Sequence, residues 1–454
     1  MKNLVDCQRR FFLTHSTREV KYRLAALRKL RRTIIEWEPR IAQALQQDLG
    51  KCGTETYMTE IGMVLAGLSE NIKHLRRWSR PKRVMAPLAQ FPSTCRVQPE
   101  PYGVALILSP WNYPILLCLD PLAAALAAGN CAVVKPSSMS PATSEVIAEM
   151  LGSIFPPEYV TTVLGGRDKI GALLEQKFDY IFFTGSPVVG RVVMEAAARR
   201  LTPVTLELGG KSPCIVDETA NIPLAARRIA FGKILNAGQT CVAPDYLFIH
   251  RSRKQEFVDA YRAEVKRMLG DEPLKDETFT HIINERHFKR LNALMADASA
   301  ILGGKSDPAT LRIEPTLLDD VTPDSACMQE EIFGPILPIL TWEKWEEVEK
   351  YVLSHPRPLA SYLFTTSSAN ERRFVNNLSF GGGCVNDTII HLAVHGLPFG
   401  GVGDSGMGSY HGKAGFDTFT HYKSVLTKAN WLDLPMRYHP YNSFAEKLLR
   451  IFLR

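Results

Sequence analysis

Through the first 78 residues apolar positions recur every three or four residues with few Gly or Pro, which predicts a run of helices. Basic residues there (Arg18, Lys21, Arg23, Arg28, Lys29, Arg31, Arg32) interleave with Leu24, Leu27, Leu30 and Ile34 at helical spacing. They read as a solvated face over an inner apolar one. The basic stretch Arg80-Pro81-Lys82-Arg83 ends the helices. Residues 84–100 then alternate irregularly around three prolines, as a hairpin or an extended arm would. From residue 103 the rhythm changes. Short β-type runs at 103–110, 131–137, 160–166, 180–186 and 203–210 start 20 to 29 residues apart, with helical patterns between them. That spacing predicts βαβ units with buried parallel strands, a doubly wound α/β sheet whose ligands bind beyond the carboxyl ends of the strands. A second α/β region is expected over about residues 211–410, with β-type runs at SPCIVDE, YLFIHRS, ILPIL and ASYLFTT. The tail from residue 430 is basic and amphipathic, too short and too charged to span a bilayer.

At 454 residues the chain is too long for one core, and two or three domains are expected. Its composition, 45% hydrophobic and 22% charged, is that of an ordinary soluble protein. The net charge of +7 gathers at the amino end, where residues 1–40 hold eleven Lys/Arg against four Asp/Glu. They lack the aromatic or Gly-rich partners of a nucleic-acid patch, so no nucleic-acid partner is expected. Nine cysteines, odd in number and without a Cys-x-x-Cys pair, argue against a zinc ribbon or a disulfide framework and suit a reducing cytosol. The start has no apolar stretch followed by a small-residue cleavage site. The most apolar region, 103–134, is broken by Pro110, Asn112, Pro114, Asp120 and Pro121. A cytoplasmic protein is expected, with at most peripheral membrane contact through its tail.

Candidate chemistry gathers at the strand ends. Cys241 sits in Gly-Gln-Thr-Cys-Val-Ala-Pro (238–244), and Glu207, 34 residues upstream, in Leu-Glu-Leu-Gly-Gly-Lys (206–211). A thiol framed by small residues could be a nucleophile, and a nearby carboxylate could activate water; the plainer reading of a lone Cys is a small buried hydrophobe. Asn112, between Pro110 and Pro114, could offer its amide to an oxyanion or merely cap a rigid loop. Lys135 stands where a nucleotide ribose could lie, or is an ordinary solvated lysine. Phe-Phe-Thr-Gly-Ser-Pro-Val-Val-Gly (182–190) closes a strand and opens a helix. Such a junction presents free N–H groups to phosphates, with Gly185 and Gly190 allowing close approach. It is neither a Gly-x-Gly-x-x-Gly fingerprint nor a Walker A loop, and reads equally as a tight turn.

Seven motifs occur in order: Pro-Trp-Asn-Tyr-Pro (110–114), Val-Lys-Pro-Ser (134–137), Phe-Thr-Gly-Ser (183–186), Leu-Glu-Leu-Gly-Gly-Lys, Gly-Gln-Thr-Cys, Glu-Glu-Ile-Phe-Gly-Pro (330–335) and Leu-Pro-Phe-Gly-Gly-Val-Gly-Asp-Ser-Gly-Met-Gly (397–408). With them the chain resembles an aldehyde dehydrogenase across nearly its whole length. The short amino end, Ala-Pro-Asp-Tyr (243–246) and Tyr-His-Gly-Lys (410–413) resemble the class 3, or fatty aldehyde, branch. The resemblance implies an NAD(P)-binding domain over 1–78 and 101–208, a catalytic domain over 209–414, and bridging or oligomerisation segments at 79–100 and 415–454.

It further implies that Cys241 attacks the aldehyde while Asn112 and the Cys241 N–H hold the oxyanion, and that Glu207 activates the water that releases the acid. Glu331 would hold the nicotinamide ribose and Lys135 the adenosine ribose. Gly185, Ser186 and Gly190 would line the pyrophosphate turn, and Phe399 would pack near the nicotinamide. The expected substrate is a small-molecule hydrophobic aldehyde, either aliphatic of medium or long chain or aromatic, and the expected assembly a homodimer. One departure stands out. The family usually has Glu after Lys-Pro-Ser, and here it is Ser138, which removes a charge that repels a 2′-phosphate, so NADP is expected beside NAD. His391 and His395, four residues apart, are read as structural rather than metal ligands, and Cys384 as packing. The rival readings are a CoA-acylating relative, which would not need Glu207, and a catalytically silent nucleotide binder, against which the intact Cys241, Glu207, Asn112 and Glu331 count.

Overall fold

The structure is a computed structural model that describes residues 1–452. Its first sheet grows from the apolar runs. Val104–Leu108, Cys131–Lys135 and Tyr180–Thr184 are buried at every position, which only a sheet covered on both faces provides. The spatial order is 406–407, 204–207, 180–184, 104–108, 131–135, 160–162, parallel throughout except for the short antiparallel edge at 406–407. The chain winds outward from 104–108 toward 160–162, then returns to place 180–184 on the other side. The strand ends of 104–108 and 180–184 therefore flank a topological switch point, where such sheets open a crevice. Leu108 pairs with both Lys135 and Phe183, and Thr184 with Glu207, so the candidate residues emerge on one edge.

Helix Leu116–Ala128 is buried along its whole length and ends on Gly129 in the left-handed region at φ 100. The long helix Val20–Leu49 packs beside it and buries Leu24, Leu27, Leu30 and Ile34, the inner face read from the sequence. Arg23 departs from that reading. Instead of facing solvent it is buried, donating to the carbonyls of Thr17, Arg18 and Ala127 at 2.7, 2.8 and 3.3 Å. A guanidinium suits the end of helix Leu116–Ala128, where carbonyls lack partners and the dipole is negative.

The second sheet has the order 299–302, 316–319, 336–342, 246–250, 213–216, 360–364, 382–385, parallel apart from the first strand. The chain then comes back to the first lobe, where Gly406 pairs with Glu207 and helix Gly412–Thr418 packs on helix Leu116–Ala128. Strands 82–84, 93–101 and 420–428 form a separate three-stranded antiparallel sheet, with 93–101 and 420–428 paired over nine residues. Among the described residues no helix is long and apolar enough to cross a membrane.

Candidate active site

Cys241 lies in a loop whose backbone is held under strain. Helix Ile222–Ile234 is followed by Asn236, Ala237 and Gly238, all left-handed at φ 52, 50 and 69. Two non-glycine residues in that region persist only when their surroundings hold them. Asn236 Nδ2 donates to the carbonyls of Asn112 and Gln239 at 3.0 and 2.9 Å. Gln239 Nε2 donates to the carbonyls of Asn236 and His281 at 3.1 and 3.0 Å, and its Oε1 accepts from the Ile283 N–H at 3.0 Å. On the other side Tyr362 donates its hydroxyl to the Val242 carbonyl, and Tyr113 pairs with Thr240 at 2.7 Å.

Asn112 is joined to this loop directly. One N–H of its amide donates to the Gln239 carbonyl at 3.0 Å, and Asn112 and Cys241 line the same cavity. Cys241 is half-buried. Burial, followed by the charges of Glu331 and Glu207, pushes its thiol up to about 12, while the N–H groups of Cys241 and Val242 act in the opposite sense. A thiol so placed is protonated at rest and needs a base as it attacks.

Glu207 ends its strand only 2% exposed, with neither carboxyl oxygen partnered by a protein group. Burial raises it well above the usual carboxylate range, which brings it nearer to a base working around neutrality. Glu331 is pushed up to about 8 by burial and by Asp245, against the pull of the Gly210 N–H. Its segment is tethered by Lys211, which pairs with Asp245 and donates to the carbonyls of Cys327 and Glu330 at 2.8 and 2.9 Å. Arg290 adds bonds to the carbonyls of Glu331 and Ile332 at 3.2 and 2.6 Å. A Cβ on Gly209 would collide with the Glu331 carboxylate, so any side chain there would push that carboxylate out of its present place.

Two cavities meet at Cys241, and Leu117, Thr184, Glu207 and Cys241 line both. The first is a cleft over the sheet edge, walled by Trp111, Asn112, Gly185, Ser186, Gly209 and Glu331. Ser186, on the cleft wall, caps helix Pro187–Ala198, its Oγ accepting from Val189 N–H at 3.5 Å; Pro187 has no N–H, so the Val188 N–H is what the first turn has left to offer an anion. Gly190 is buried behind the cleft wall, where a Cβ would come within 2.7 Å of the end of the Leu208 side chain. Lys135 and Ser138 lie beyond this wall on the same edge. Lys135 is buried and donates to the Pro136 carbonyl at 2.8 Å, burial lowering its pKa, while Ser138 is exposed.

The second cavity is an apolar funnel that includes Met58, Met63, Leu116, Phe231, Leu235, Ile389 and Phe399. Phe399 is on this wall, stacked on His411 at 5.3 Å between centroids. His391 packs on Phe399 and has Cys384 3.6 Å from its Nδ1. Among the described residues no group of three His, Cys, Asp or Glu is placed to hold a metal. Asn236 and Gln239 were missed by sequence reading, although Asn-Ala-Gly is a run that tolerates left-handed backbone at its ends.

The sequence model of the aldehyde dehydrogenase family matches residues 2–425. A 4,4'-diaponeurosporen-aldehyde dehydrogenase of Staphylococcus aureus is 47% identical over 433 residues, 95% of this chain and 94% of the relative. Aldehyde dehydrogenase family 3 member H1 of Arabidopsis thaliana is 43% identical over 453 residues, 99% of this chain and 94% of the relative. The solved substrate-bound state of Staphylococcus aureus AldH matches at a TM-score of 0.98 and 45% identity, covering 100% of this chain and 99% of that one.

Proposed function

The chain belongs to the aldehyde dehydrogenase family and oxidises aldehydes to carboxylic acids; on that footing we propose that its substrates are hydrophobic aldehydes, that NAD or NADP takes the hydride, and that Cys241, Asn112 and Glu207 do the chemistry. The observation that carries this reading is the position of Cys241 and Glu207 on the common wall of a polar cleft and an apolar funnel.

An aldehyde entering by the funnel meets the Cys241 sulfur. As the C–S bond forms, the thiol proton must leave to a water molecule that carries it to solvent, so that Glu207 remains ionised for the later hydrolysis. The new oxyanion accepts from the free N–H of the Asn112 amide and from the Cys241 N–H, donors worth about 3 kcal/mol each in comparable sites. The dinucleotide, when bound, supplies the hydride acceptor. Its fit rests on the cleft itself: a capped helix N-terminus suits the pyrophosphate, the Glu331 carboxylate suits ribose hydroxyls, and Gly185 and Ser186 leave room for both. Lys135 and Ser138, farther along the edge, take the adenosine ribose. Cys241 is then left as a thioester, and Glu207 draws a proton from the water that hydrolyses it. A carboxyl group with both oxygens free of protein partners supports water over CoA as the acyl acceptor.

The funnel wall supports apolar aldehydes, since each methylene removed from water contributes about 0.8 kcal/mol; Phe399 belongs to this side. The division of labour proposed is cofactor binding by 1–78 and 101–208, catalysis by 209–414, and assembly by 79–100 and 415–454. A cytoplasmic homodimer fits the scattered free cysteines and the exposed Met85, Leu88, Phe91 and Leu426 on and beside the three-stranded sheet. A single-chain mass by light scattering at micromolar concentration would contradict the dimer. The tail helix Ser443–Phe452 exposes Phe444 and Ile451, enough for peripheral contact with a bilayer; failure to sediment with anionic vesicles would remove that contact. The central test is oxidation of octanal or benzaldehyde with each cofactor, followed by absorbance of the reduced form. Cys241→Ala should fold, bind cofactor and lose turnover; undiminished oxidation sinks the assignment.

A further inference from the structure

Beneath the Asn112 loop lies a buried ion pair that the chemistry above leaves unused. Lys51 and Glu60 are 1% and 0% exposed, and Lys51 Nζ meets Glu60 Oε1 at 2.6 Å. Glu60 sits in a π turn at Tyr57–Ile61, an insertion of the kind that recurs at functional sites. Its second oxygen accepts from the N–H groups of Ile115 and Leu116 at 2.9 and 3.1 Å, where helix Leu116–Ala128 begins. Lys51 Nζ also donates to the Asn112 carbonyl at 2.9 Å and lies 4.0 Å from the centre of the Tyr113 ring. Glu55, from the same stretch, accepts from the Asn236 N–H at 2.9 Å and so grips the Cys241 loop as well.

A fully buried ion pair is weak support for stability, because apolar side chains of equal volume serve that purpose as well or better. What this pair does that apolar side chains cannot is bond the peptide of Asn112. We propose that Lys51 is a positioning residue for aldehyde oxidation: its ammonium, neutralised by Glu60, fixes the Asn112 peptide so that the side-chain N–H not taken by Gln239 stays aimed at the Cys241 oxyanion. This rests on the reading of Asn112 as an oxyanion donor and extends it to the group that holds the donor in place.

The test follows the first-turnover burst of reduced cofactor in Asn112→Ala, Lys51→Met and the two combined. Lys51→Met should slow the burst roughly 10- to 100-fold, since a misplacement near 1 Å costs on the order of 100-fold. Cofactor Kd and aldehyde KM should stay within about twofold, and adding Lys51→Met to Asn112→Ala should change the burst by less than about twofold, as groups acting through one interaction are not additive. Should Lys51→Met fail to fold, Lys51→Met/Glu60→Gln, neutral and similar in volume, carries the comparison. If that pair also unfolds, the clamp is structural and the proposal is overturned. It is overturned too if a folded variant bursts at the parental rate, or if the two losses multiply. A parental burst in Asn112→Ala defeats the oxyanion reading itself, whereas a slow Asn112→Ala beside a normal Lys51 variant defeats only the positioning role.

Discussion

The cleft and the funnel share Cys241 and Glu207 yet are built by opposite means. The cleft is made by strand ends: residues 110–112, 184–186 and 207–209 follow three neighbouring strands, and 330–333 closes over them. Its features are backbone N–H groups, glycines and a few carboxylates, each fixed by a short contiguous motif. Beyond the shared Thr184 and Glu207, the funnel takes its wall from four separated segments, 58–63, 113–117, 231–242 and 389–411, and its character from apolar side chains most of which lie outside any motif. A site made of backbone leaves its mark in consecutive residues. A site made of side-chain surface leaves it only in the packing.

The shared wall gives the sharpest way to break this contrast. If Glu207 serves only hydrolysis once the thioester has formed, Glu207→Gln should keep one burst of reduced cofactor and lose roughly 100- to 10,000-fold in steady turnover, the range of a removed general base. Mass spectrometry of the quenched variant should show acylated Cys241. Absence of both burst and adduct would mean that Glu207 acts first as the base for the thiol. In the parent enzyme, burial raises the Glu207 pKa, and only its deprotonated form accepts a proton. Deacylation should therefore rise with pH through that raised pKa and level off above it. A deacylation rate that falls across that range would exclude Glu207 as the base.

The same contrast sorts what could be read in the chain. All five β-type runs from 103 to 210 became strands of the first sheet, because unbroken apolar runs separated by helical patterns admit few other structures. Their spatial order was not legible, since it depends on which way each crossover turns. The edge strand Ser299–Leu302 and its neighbour Thr316–Asp319 were missed, being short, and Gly382–Val385, the other edge, is too glycine-rich to look like a strand. Cys241, Glu207, Asn112, Gly185, Ser186 and Glu331 came together in the cleft as their motifs implied. Phe399 lines the adjoining funnel, its ring direction set by packing on His411 and not by its motif. Lys51 and Glu60 had no local signature at all: their partners Asn112 and Ile115 lie 61 and 55 residues away.

A milder test sharpens the funnel side. Each aldehyde methylene placed against this wall should raise kcat/KM about fourfold, the equivalent of about 0.8 kcal/mol, until the funnel is full. Met63→Gln keeps length and shape while wetting the wall. It should lower kcat/KM for octanal by roughly tenfold, a loss near the transfer value of one apolar side chain, and leave butanal within about threefold. Equal losses for both aldehydes would show that Met63 acts on the reacting centre and that the funnel does not read chain length.

The smallest effect is expected at the far end of the cleft, where the sequence departs from its family. Ser138 is exposed at the carboxyl edge of strand Cys131–Lys135, close in sequence to Lys135. Lys135 Nζ now donates to the Pro136 carbonyl, and burial lowers its pKa, so a negative group arriving nearby gives the ammonium a better partner. Arg191, on the helix after the Ser186 turn, is largely exposed and only 3.8 Å paired with Asp404, leaving it free to turn toward a phosphate. A carboxylate at position 138 would oppose that phosphate. Between solvent-exposed charges about 4 Å apart the repulsion is about 1 kcal/mol, close to fivefold in affinity. Ser138→Glu should thus lower kcat/KM for NADP about fivefold and leave NAD use within about twofold, because NAD has a hydroxyl where NADP has the charge. The difference should shrink as salt is added, since exposed charges are screened within about 10 Å at 0.1 M ionic strength. A parent enzyme with no NADP-linked turnover would end the argument, because something other than position 138 would then exclude the phosphate.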